Sequence, residues 1–338
     1  MDRYLADAPL TMQSMPPLRL VLLMPVYDDW QSVALVIEKL DRVLNSVPVV
    51  ASVLLVDDGS SAPSIPPTVG ASPKNLRSVD RLRLRRNLGH QRAIAIGLCF
   101  VHQERECDAV LVMDADGEDM PEDVPRLIQR YTELGGTCVV FAARARRSES
   151  AIFRFFYQVY RFLHRVLTGI PVKVGNFSIL SRDHIATLSV ASELWNHYAA
   201  SVYKTRLPVS LLPTSRGRRL AGESKLNFVG LVIHGLSGIS VFAETVGVRL
   251  MLGISALMML SLMLVGLVVA VRVGTELAIP GWATSAFGLL LILVLQMLTL
   301  VVGLTFSVLF NRNNLTFLPA RDYRYFIGEV SMLHGQPR

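Results

Sequence analysis

Apolar runs alternate with amphipathic stretches along the first half of the chain. Residues 18–26 and 53–56 are rich in Leu, Val and Met, a composition typical of strands buried on both faces of a sheet. Between them, apolar residues recur every three or four positions from Val33 to Leu44, which predicts a helix. By the same criteria we predict strands at residues 18–26, 53–56, 79–84, 109–113, 138–142 and 176–180, and further helices that end near Leu98 and cover about 121–134.

This order of elements predicts an α/β fold. Strands that alternate with helices through short turns form a mostly parallel sheet with right-handed crossovers. The first strand is not followed by G-x-G-x-x-G, and the chain contains no G-x-x-x-x-G-K-[ST]. The pattern therefore favours a doubly wound, Rossmann-like nucleotide-binding domain, and neither the dinucleotide-binding nor the P-loop fingerprint supports a narrower choice.

The second half of the chain is far more apolar. No charged residue lies between Arg249 and Arg272, and none lies in residues 277–311, so each stretch is long enough for a transmembrane helix. The basic residues after the second stretch are arginines, which by the positive-inside rule places this tail in the cytosol. They are Arg312, Arg321, Arg324 and Arg338.

Two segments are predicted to lie at the membrane surface. Residues 148–167 carry Arg154, Arg161 and Arg165 on one helix face among many aromatic residues, which is typical of an interfacial or acceptor-binding helix. The alternative is an ordinary amphipathic helix with a solvated arginine face. Residues 226–243 are apolar with several Gly, and we expect one or two helices lying at the membrane surface.

These patterns divide the chain into five parts and predict a multi-pass protein of the cell (inner) membrane with its α/β domain in the cytosol. The N-terminus lacks a long apolar segment, so no cleaved signal peptide is expected. The predicted parts are a flexible N-terminus at 1–17, the α/β domain at 18–225, juxtamembrane helices at 226–246, a two-helix transmembrane hairpin at 247–311 and a cytosolic tail at 312–338.

The composition of the chain narrows the classes of molecule that the protein is expected to bind. The formal net charge is +7, and 51% of the residues are hydrophobic. Arginine, the better bidentate phosphate ligand, outnumbers lysine, and no nucleic-acid-binding motif is present, so phosphates and anionic lipid headgroups are favoured over nucleic acid. The three cysteines have no metal-ligand spacing and fit core thiols in a reducing compartment.

Acidic residues follow two of the predicted strands. Asp57 and Asp58 end one strand, and Asp114, Asp116 and Glu118 follow another at spacings of two. Residues two apart in an extended segment point the same way, so these three can offer oxygen ligands to one divalent cation at the ligand-binding edge of the sheet. The alternative is a solvated acidic loop.

A basic segment with two glycines covers residues 216–225. Glycine lets backbone approach a ligand closely, and the Arg and Lys side chains can neutralise phosphate. The alternative is a solvated charged loop.

Taken together, these motifs resemble the family 2, A-type (GT-A) glycosyltransferases, and most of all the polyprenyl-phosphate glycosyltransferases. Each motif alone is weak, and their order and spacing carry the resemblance. The motifs are Pro25-x-Tyr27, Asp57-Asp58-Gly59-Ser60, Asn87-x-Gly89-His90-Gln91, Asp114-x-Asp116, Arg144 and Arg219-x-x-Gly222-x-Ser224-Lys225, followed by the two apolar spans.

The resemblance implies roles for individual residues. It implies a GT-A fold, with Mg²⁺ or Mn²⁺ held by Asp114, Asp116 and Glu118. The residues implied for the nucleotide-sugar are Pro25, Tyr27, Asp29, Val56, Asp58, Asp114, Ala115 and Asp116. Those implied for catalysis are Asp114, Asp116, Arg144, Arg219 and Lys225, and those for the acceptor phosphate are Arg144, Arg154, Arg161 and Lys225.

The function implied is inverting transfer of a sugar from a nucleotide-sugar, a UDP-sugar by analogy, to a polyprenyl phosphate for cell-envelope glycans. A lipid phosphate is already anionic, so it needs no general base. A homo-oligomer is compatible with the resemblance.

Three alternatives remain open. Transfer to a lipid or glycolipid hydroxyl needs a base, for which His90, Asp183 and Glu193 are candidates. A processive polysaccharide synthase would carry a Q-x-x-R-W motif, which is absent around Trp195. A membrane scaffold that only binds nucleotide-sugar would need no intact aspartates.

Two segments depart from the resemblance or leave it open. Related bacterial enzymes often have Gly-Asp-Phe-Arg where this chain has Gly175-Asn176-Phe177-Ser178. The cluster Trp195-Asn196-His197-Tyr198 can either contact the sugar or cap a core helix.

Overall fold

The described part of the chain contains one mixed sheet of eight strands in the order β7-β5-β6-β4-β1-β2-β3-β8. The computed structural model describes residues 16–61, 73–144, 151–170, 174–222, 228–275, 281–313 and 317–335. The strands are β1 (Leu18–Val26), β2 (Val49–Asp57), β3 (Leu76–Leu84), β4 (Ala109–Val112), β5 (Val139–Arg144), β6 (Ser178–Ser181), β7 (Val209–Thr214) and β8 (Ile327–Gly335).

The centre of the sheet is parallel. Strand β1 pairs in parallel with β2 and with β4, and Leu23 lies opposite both Leu54 and Val112. The carboxyl ends of these three strands therefore meet at one edge, where parallel sheets bind ligands. The acidic residues that follow β2 and β4 therefore lie at this edge.

Helices cover both faces of the sheet. One core layer lies between the sheet and helices α1 and α3, and the other between the sheet and α2, α5 and α6. The predicted doubly wound α/β class is confirmed. The helices are α1 (Trp30–Leu44), α2 (His90–Glu104), α3 (Val124–Glu133), α4 (Ala151–Thr168), α5 (Arg182–Ser189), α6 (Tyr198–Lys204), α7 (Phe228–Ser240), α8 (Ala243–Gly274) and α9 (Trp282–Asn313), with short turns at Pro121–Asp123, Ser192–Trp195, Pro319–Asp322 and Tyr323–Phe326.

Several elements extend beyond their predicted bounds. Strand β2 begins at Val49 because its first residue pairs with Leu18 at the start of β1. Helix α2 continues past Leu98 to Glu104, and its buried face runs on through Val101. Both extensions are stabilised by neighbours that are distant in sequence.

Helices α8 and α9 are each long and apolar enough to cross a membrane. The apolar windows have mean hydropathy 2.6, and only 11% and 0% of their residues are buried within the chain. The two helices pack closely, since a Cβ at Gly247 would meet Val308. Exposed apolar surface of this length does not fit a soluble core helix.

The chain after α9 returns to the sheet, which the division between domain and tail did not anticipate. Strand β8 pairs antiparallel with β3, so the tail completes one edge of the sheet. Tyr323, which follows the second span in the chain, is 1% exposed and donates a hydrogen bond to Gln103 (3.1 Å). Phe317 and Phe326 pack against Trp195 with tilted rings, at centroid distances of 4.0 and 4.9 Å.

Helices α4 and α7 expose apolar side chains. On α4, Phe162, Leu163 and Val166 are exposed, and on α7, Ile233 and Leu236 are exposed. Both helices contact α8. This arrangement fits the predicted surface helices, because their apolar faces stay uncovered beside a helix long enough to span a membrane.

Candidate active site

A tight loop after β4 carries the acidic motif. The backbone N–H of Asp114 donates to Asp119 (2.9 Å), and that of Glu118 donates to Asp116 (2.9 Å). Gly117 has φ +85°, a conformation that side-chain-bearing residues rarely adopt. Asp119, which sequence reasoning did not single out, therefore shapes the loop that presents the two predicted aspartates.

The basic loop, residues 216–222, lies against this acidic loop. The backbone N–H of Gly217 donates to the Glu118 carbonyl (2.9 Å), and that of Leu220 donates to the Asp116 carbonyl (3.0 Å). A Cβ at Gly117 would lie 2.5 Å from the Leu220 side chain. Two segments about a hundred residues apart thus pack against each other at the sheet edge.

Arg219 joins the ends of two strands. Its guanidinium donates to Asp116 (Nη1 to Oδ2, 3.2 Å), forms an ion pair with Asp29 after β1, and donates to the Ala221 carbonyl (Nε to O, 3.0 Å). Asp29 also accepts a hydrogen bond from Ser32 (2.8 Å). A cation therefore sits between two half-buried carboxylates at the site.

The environment of Asp116 affects its protonation. Burial raises the pKa of Asp116, while the N–H of Glu118 and the charge of Arg219 act in the opposite direction. A cation beside the carboxylate thus favours the ionised form that metal binding needs.

Glu118 does not share this environment. Its carboxylate accepts from Arg216 (Nε to Oε2, 2.9 Å), and the two side chains form an ion pair. The predicted role of Glu118 as a metal ligand therefore receives no support from its position. Among the described residues, no group of three His, Cys, Asp or Glu side chains is arranged to hold a metal ion.

Asp58 organises the loop before α2. Its carboxylate accepts from the backbone N–H groups of Leu88 (2.7 Å) and Gly89 (2.8 Å). Burial raises the pKa of Asp58 to about 6, against the opposite effect of these hydrogen bonds. Gly59, at φ +71°, lies so close to Arg86 that a Cβ would be 2.6 Å from its carbonyl carbon.

The other residues predicted for the nucleotide-sugar fall into two groups. Tyr27 is 40% exposed and Pro25 is half-buried at the edge of the sheet. Val56 and Ala115 are 0% and 5% exposed. Their side chains belong to the two core layers, so only their backbone atoms are placed to reach a ligand.

Of the four other basic residues predicted for the phosphates, the described residues include the side chain of Arg161. Arg161 is exposed on α4. The side chains of Arg144 and Arg154, and the whole of Lys225, lie outside the described residues. Arg219 is thus the predicted phosphate ligand that the described residues bring to the acidic loop.

The Trp195-to-Tyr198 cluster is structural. His197 caps α6, its ring accepting the Ala200 N–H (3.4 Å), and Tyr198 is 0% exposed. Tyr198 belongs to a buried polar network with Gln91, Asn176 and Ser178 at the same sheet edge. The sequence signal for it was weak, because Gln, Asn and Ser are ordinary surface residues until their burial is known.

Residues 22–188 of this chain match the model of a known protein family. The model for the family described as "Glycosyl transferase family 2" matches residues 22–188. A similar protein is the uncharacterized glycosyltransferase YkcC of Bacillus subtilis (strain 168), 27% identical over 66% of this chain and 68% of that protein. Another is the undecaprenyl-phosphate 4-deoxy-4-formamido-L-arabinose transferase of Salmonella choleraesuis (strain SC-B67), 26% identical over 64% of this chain and 65% of that protein.

Solved structures are similar at a lower level. Mannosyl-3-phosphoglycerate synthase from Rubrobacter xylanophilus superposes with a TM-score of 0.48 at 16% identity, over 69% of this chain and 78% of that one. Glucosyl-3-phosphoglycerate synthase from Mycobacterium tuberculosis, in complex with Mn²⁺ and UDP-glucose, gives 0.49 at 16% identity, over 68% and 79%.

Proposed function

Because residues 22–188 form a domain of glycosyltransferase family 2, we propose that the protein transfers a sugar from a nucleotide-sugar to a polyprenyl phosphate at a membrane. The product is a polyprenyl-phosphate-sugar, a donor for cell-envelope glycans. The observation that carries the proposal is the paired carboxylates of Asp116 and Asp29, held at the sheet edge by Arg219 in a chain with two apolar helices.

In this reaction the protein has to align the lipid phosphate with the anomeric carbon and stabilise the leaving diphosphate. An oxygen of the lipid phosphate forms a bond to the anomeric carbon while the bond from that carbon to the nucleotide diphosphate breaks. The nucleophile is already anionic and no proton has to move, so displacement from the opposite face inverts the anomeric centre. Arg219 is placed to offset the charge that develops on the leaving diphosphate.

A divalent cation fits this donor set. Asp114 and Asp116 supply hard carboxylate oxygens, and Asp116 already faces a positive charge. Mg²⁺ and Mn²⁺ take most of their remaining ligands from diphosphate oxygens and water, so a site without a complete protein cage suits them. Such an ion stabilises the leaving diphosphate when bound.

The surroundings of α8 favour a lipid acceptor. An apolar groove of about 290 Å³ lies between the end of α4 and the start of α8. Arg249 is part of its lining and donates to the Val166 carbonyl (2.6 Å). An isoprenoid chain is apolar along its length, so a groove of this kind beside a spanning helix can take its first units.

We propose a multi-pass protein of the inner membrane with its sugar-transfer domain in the cytosol. The antiparallel pairing of β8 with β3 requires the end of the chain and the domain to share one side, as two spans provide. Cysteines at Ser331 and Thr275, labelled in whole cells with an impermeant maleimide, test this: only Thr275→Cys should react before the cells are opened.

The direct test uses the purified full chain in detergent. We would add undecaprenyl phosphate, a panel of UDP- and GDP-sugars and Mg²⁺ or Mn²⁺, and follow release of nucleotide diphosphate. We expect release that needs the lipid phosphate, stops with a chelator and is lost in Asp116→Ala. Glu122→Ala removes a surface carboxylate paired with Lys39 and should retain activity.

Other outcomes separate the alternatives. Release that needs a lipid hydroxyl in place of the phosphate would point to a different acceptor and a catalytic base. Formation of a long polymer would indicate a processive synthase. Binding of nucleotide-sugar with no release from any donor would contradict the proposal and favour a scaffold.

A further inference from the structure

A buried polar network links α2 to β6 beside the acidic loop. Gln91 and Asn176 are each 7% exposed, and Ser178 and Tyr198 are 0% exposed. Burying this many polar groups is tolerated only when their hydrogen bonds are made. The pattern of those bonds fixes the orientation of the Gln91 and Asn176 side-chain amides, that is, on which side each nitrogen and each oxygen lies.

The orientation of Gln91 follows from one backbone group. The N–H of Tyr198 can only donate, and its partner is Oε1 of Gln91 (2.7 Å). The nitrogen of Gln91 is therefore on the other side of its amide, where it donates to Oδ1 of Asn176 (3.0 Å). The amide nitrogen of Asn176, with both hydrogens, is consequently turned away from Gln91.

The second hydrogen of the Gln91 amide agrees with this orientation. The same nitrogen lies 3.0 Å from Nε2 of His90, which must accept, so the neutral imidazole carries its proton on Nδ1. Burial lowers the pKa of His90, in keeping with a neutral ring.

A second chain of bonds holds the backbone of Asn176. The Ser178 hydroxyl donates to the Asn176 carbonyl (2.9 Å). Serine has one hydroxyl hydrogen, so in its 2.7 Å contact with Ser178 the Tyr198 hydroxyl is the donor. Burial raises the pKa of Tyr198, which keeps that proton in place. Tyr198 thus holds the side chain of Asn176 through Gln91 and the main chain of Asn176 through Ser178.

The sheet register places Asn176 next to the acidic motif. Strands β4 and β6 are antiparallel, with Val112 opposite Ser178. The paired residues end there; continuing the same register two residues past the end of β4, and back before the start of β6, would set Asp114 opposite Asn176. Residues directly opposite each other point to the same face, with Cβ atoms about 4.5–5.5 Å apart.

We propose that Asn176 is a phosphate-binding residue of the site, that it presents its amide hydrogens to a phosphoryl oxygen, and that Gln91 is the positioning residue that holds it in that orientation. The inference rests on the proposed function. An uncharged donor beside Asp114 binds an anionic oxygen without forming a competing ion pair with the carboxylate. The oxygen belongs either to the lipid phosphate or to the nucleotide diphosphate.

The test turns the Asn176 amide around by changing Gln91 to a side chain of the same size. In Gln91→Glu one carboxylate oxygen accepts from Tyr198, and the other faces Asn176, whose amide must then turn its nitrogen inward. We expect the KM for one phosphate-bearing substrate to rise about tenfold to a hundredfold. A rise for the lipid phosphate assigns the oxygen to the acceptor, and a rise for the nucleotide-sugar assigns it to the donor.

Gln103→Glu is the matched control. Gln103 lies on the same helix and donates a comparable bond to the Ala320 carbonyl (2.8 Å), but it is exposed and remote from the sheet edge. Asn176→Asp is a second variant that keeps the bond from Gln91 and replaces only the outward donor by an acceptor. It should raise the same KM as Gln91→Glu, because this chain has Ser178 where the related enzymes that carry Asp at this position have an Arg.

If both site variants keep the two KM values within twofold of those of Gln103→Glu, the inference is wrong. If the wild type transfers no sugar, the proposed function fails by itself. The inference then depends on melting temperatures with Mg²⁺ and inorganic diphosphate, or with undecaprenyl phosphate. A stabilisation of the wild type that Asn176→Asp lacks supports it, and equal stabilisation or none overturns it.

Discussion

Arg219 illustrates how one side chain can organise the site, because it forms ion pairs with two carboxylates that follow different strands. Arg219→Ala leaves Asp29 and Asp116 half-buried without their cation and removes the positive charge facing the leaving group. We expect kcat/KM to fall about tenfold or more, since a hydrogen bond to a charged group contributes about 1.5–3 kcal/mol.

Arg218→Ala is the control for this prediction. It removes the same charge from the same loop, but the Arg218 side chain is exposed. Equal kcat/KM values for the two variants, measured with saturating lipid phosphate, would contradict the bridging role of Arg219.

The raised pKa of Asp58 predicts how the stability of the folded protein depends on pH. The folded-state pKa of Asp58, about 6, lies above the usual 3.8, so the folded protein binds the proton more tightly than the unfolded chain does. This contribution to stability is fully present below about 3.8 and is lost as pH rises through about 6. The melting temperature of the wild type, relative to that of Asp58→Asn, should therefore fall between pH 5 and 7.

Differential scanning fluorimetry of both proteins across this range measures the effect. Asp108, whose pKa Arg19 lowers from 3.8, should give a flat difference curve in this range, because its contribution to stability is lost only at lower pH. A difference curve that is flat, or that rises with pH, would mean that Asp58 is not protonated on burial.

At the level of elements, the contact between the acidic and basic loops depends on a glycine. Gly117→Ala forces a Cβ to within 2.5 Å of Leu220 and adds strain at φ +85°. We expect the basic loop to be displaced together with Arg219, and activity to fall strongly while the fold persists. Gly135→Ala has comparable strain at φ +60° but meets no atom within 4 Å, so it isolates the effect of the clash.

Each alanine at positive φ should cost about 1 kcal/mol of stability. Similar melting temperatures with very different transfer rates would support the loop contact. Similar losses of activity in both variants would instead show that backbone strain, and not the Leu220 contact, affects the site.

At the scale of the whole molecule, β8 ties the end of the chain to β3 across the two long helices. Arg83 and Glu329 are cross-strand partners with exposed side chains. In Arg83→Cys/Glu329→Cys, mild oxidation should give a disulfide within one chain, detected by mass spectrometry of the digested protein.

The control pairs Glu329→Cys with Arg77→Cys, which lies toward the other end of β3 and should not react. A disulfide formed only between chains would mean that β8 adds to the sheet of a second copy. That result would contradict the pairing described above.

Much of the fold was available from the pattern of residues. Near-continuous apolar runs mark β1, β2 and β4 because those strands are covered on both faces, and the acid after β2 and β4 marks the site edge. The presence of α8 and α9 follows from their uncharged stretches, although α8 begins at Ala243, before its stretch.

Only the tertiary structure decided how distant segments meet. Contacts across long separations in sequence return β8 to β3 and let Arg219 bridge Asp29 and Asp116. Such contacts also place Val56 inside the core. Periodicity records whether a residue is covered, because burial selects for apolar side chains. It does not record what covers the residue, since hydrogen-bond and ion-pair partners are fixed only when the packed elements bring them together.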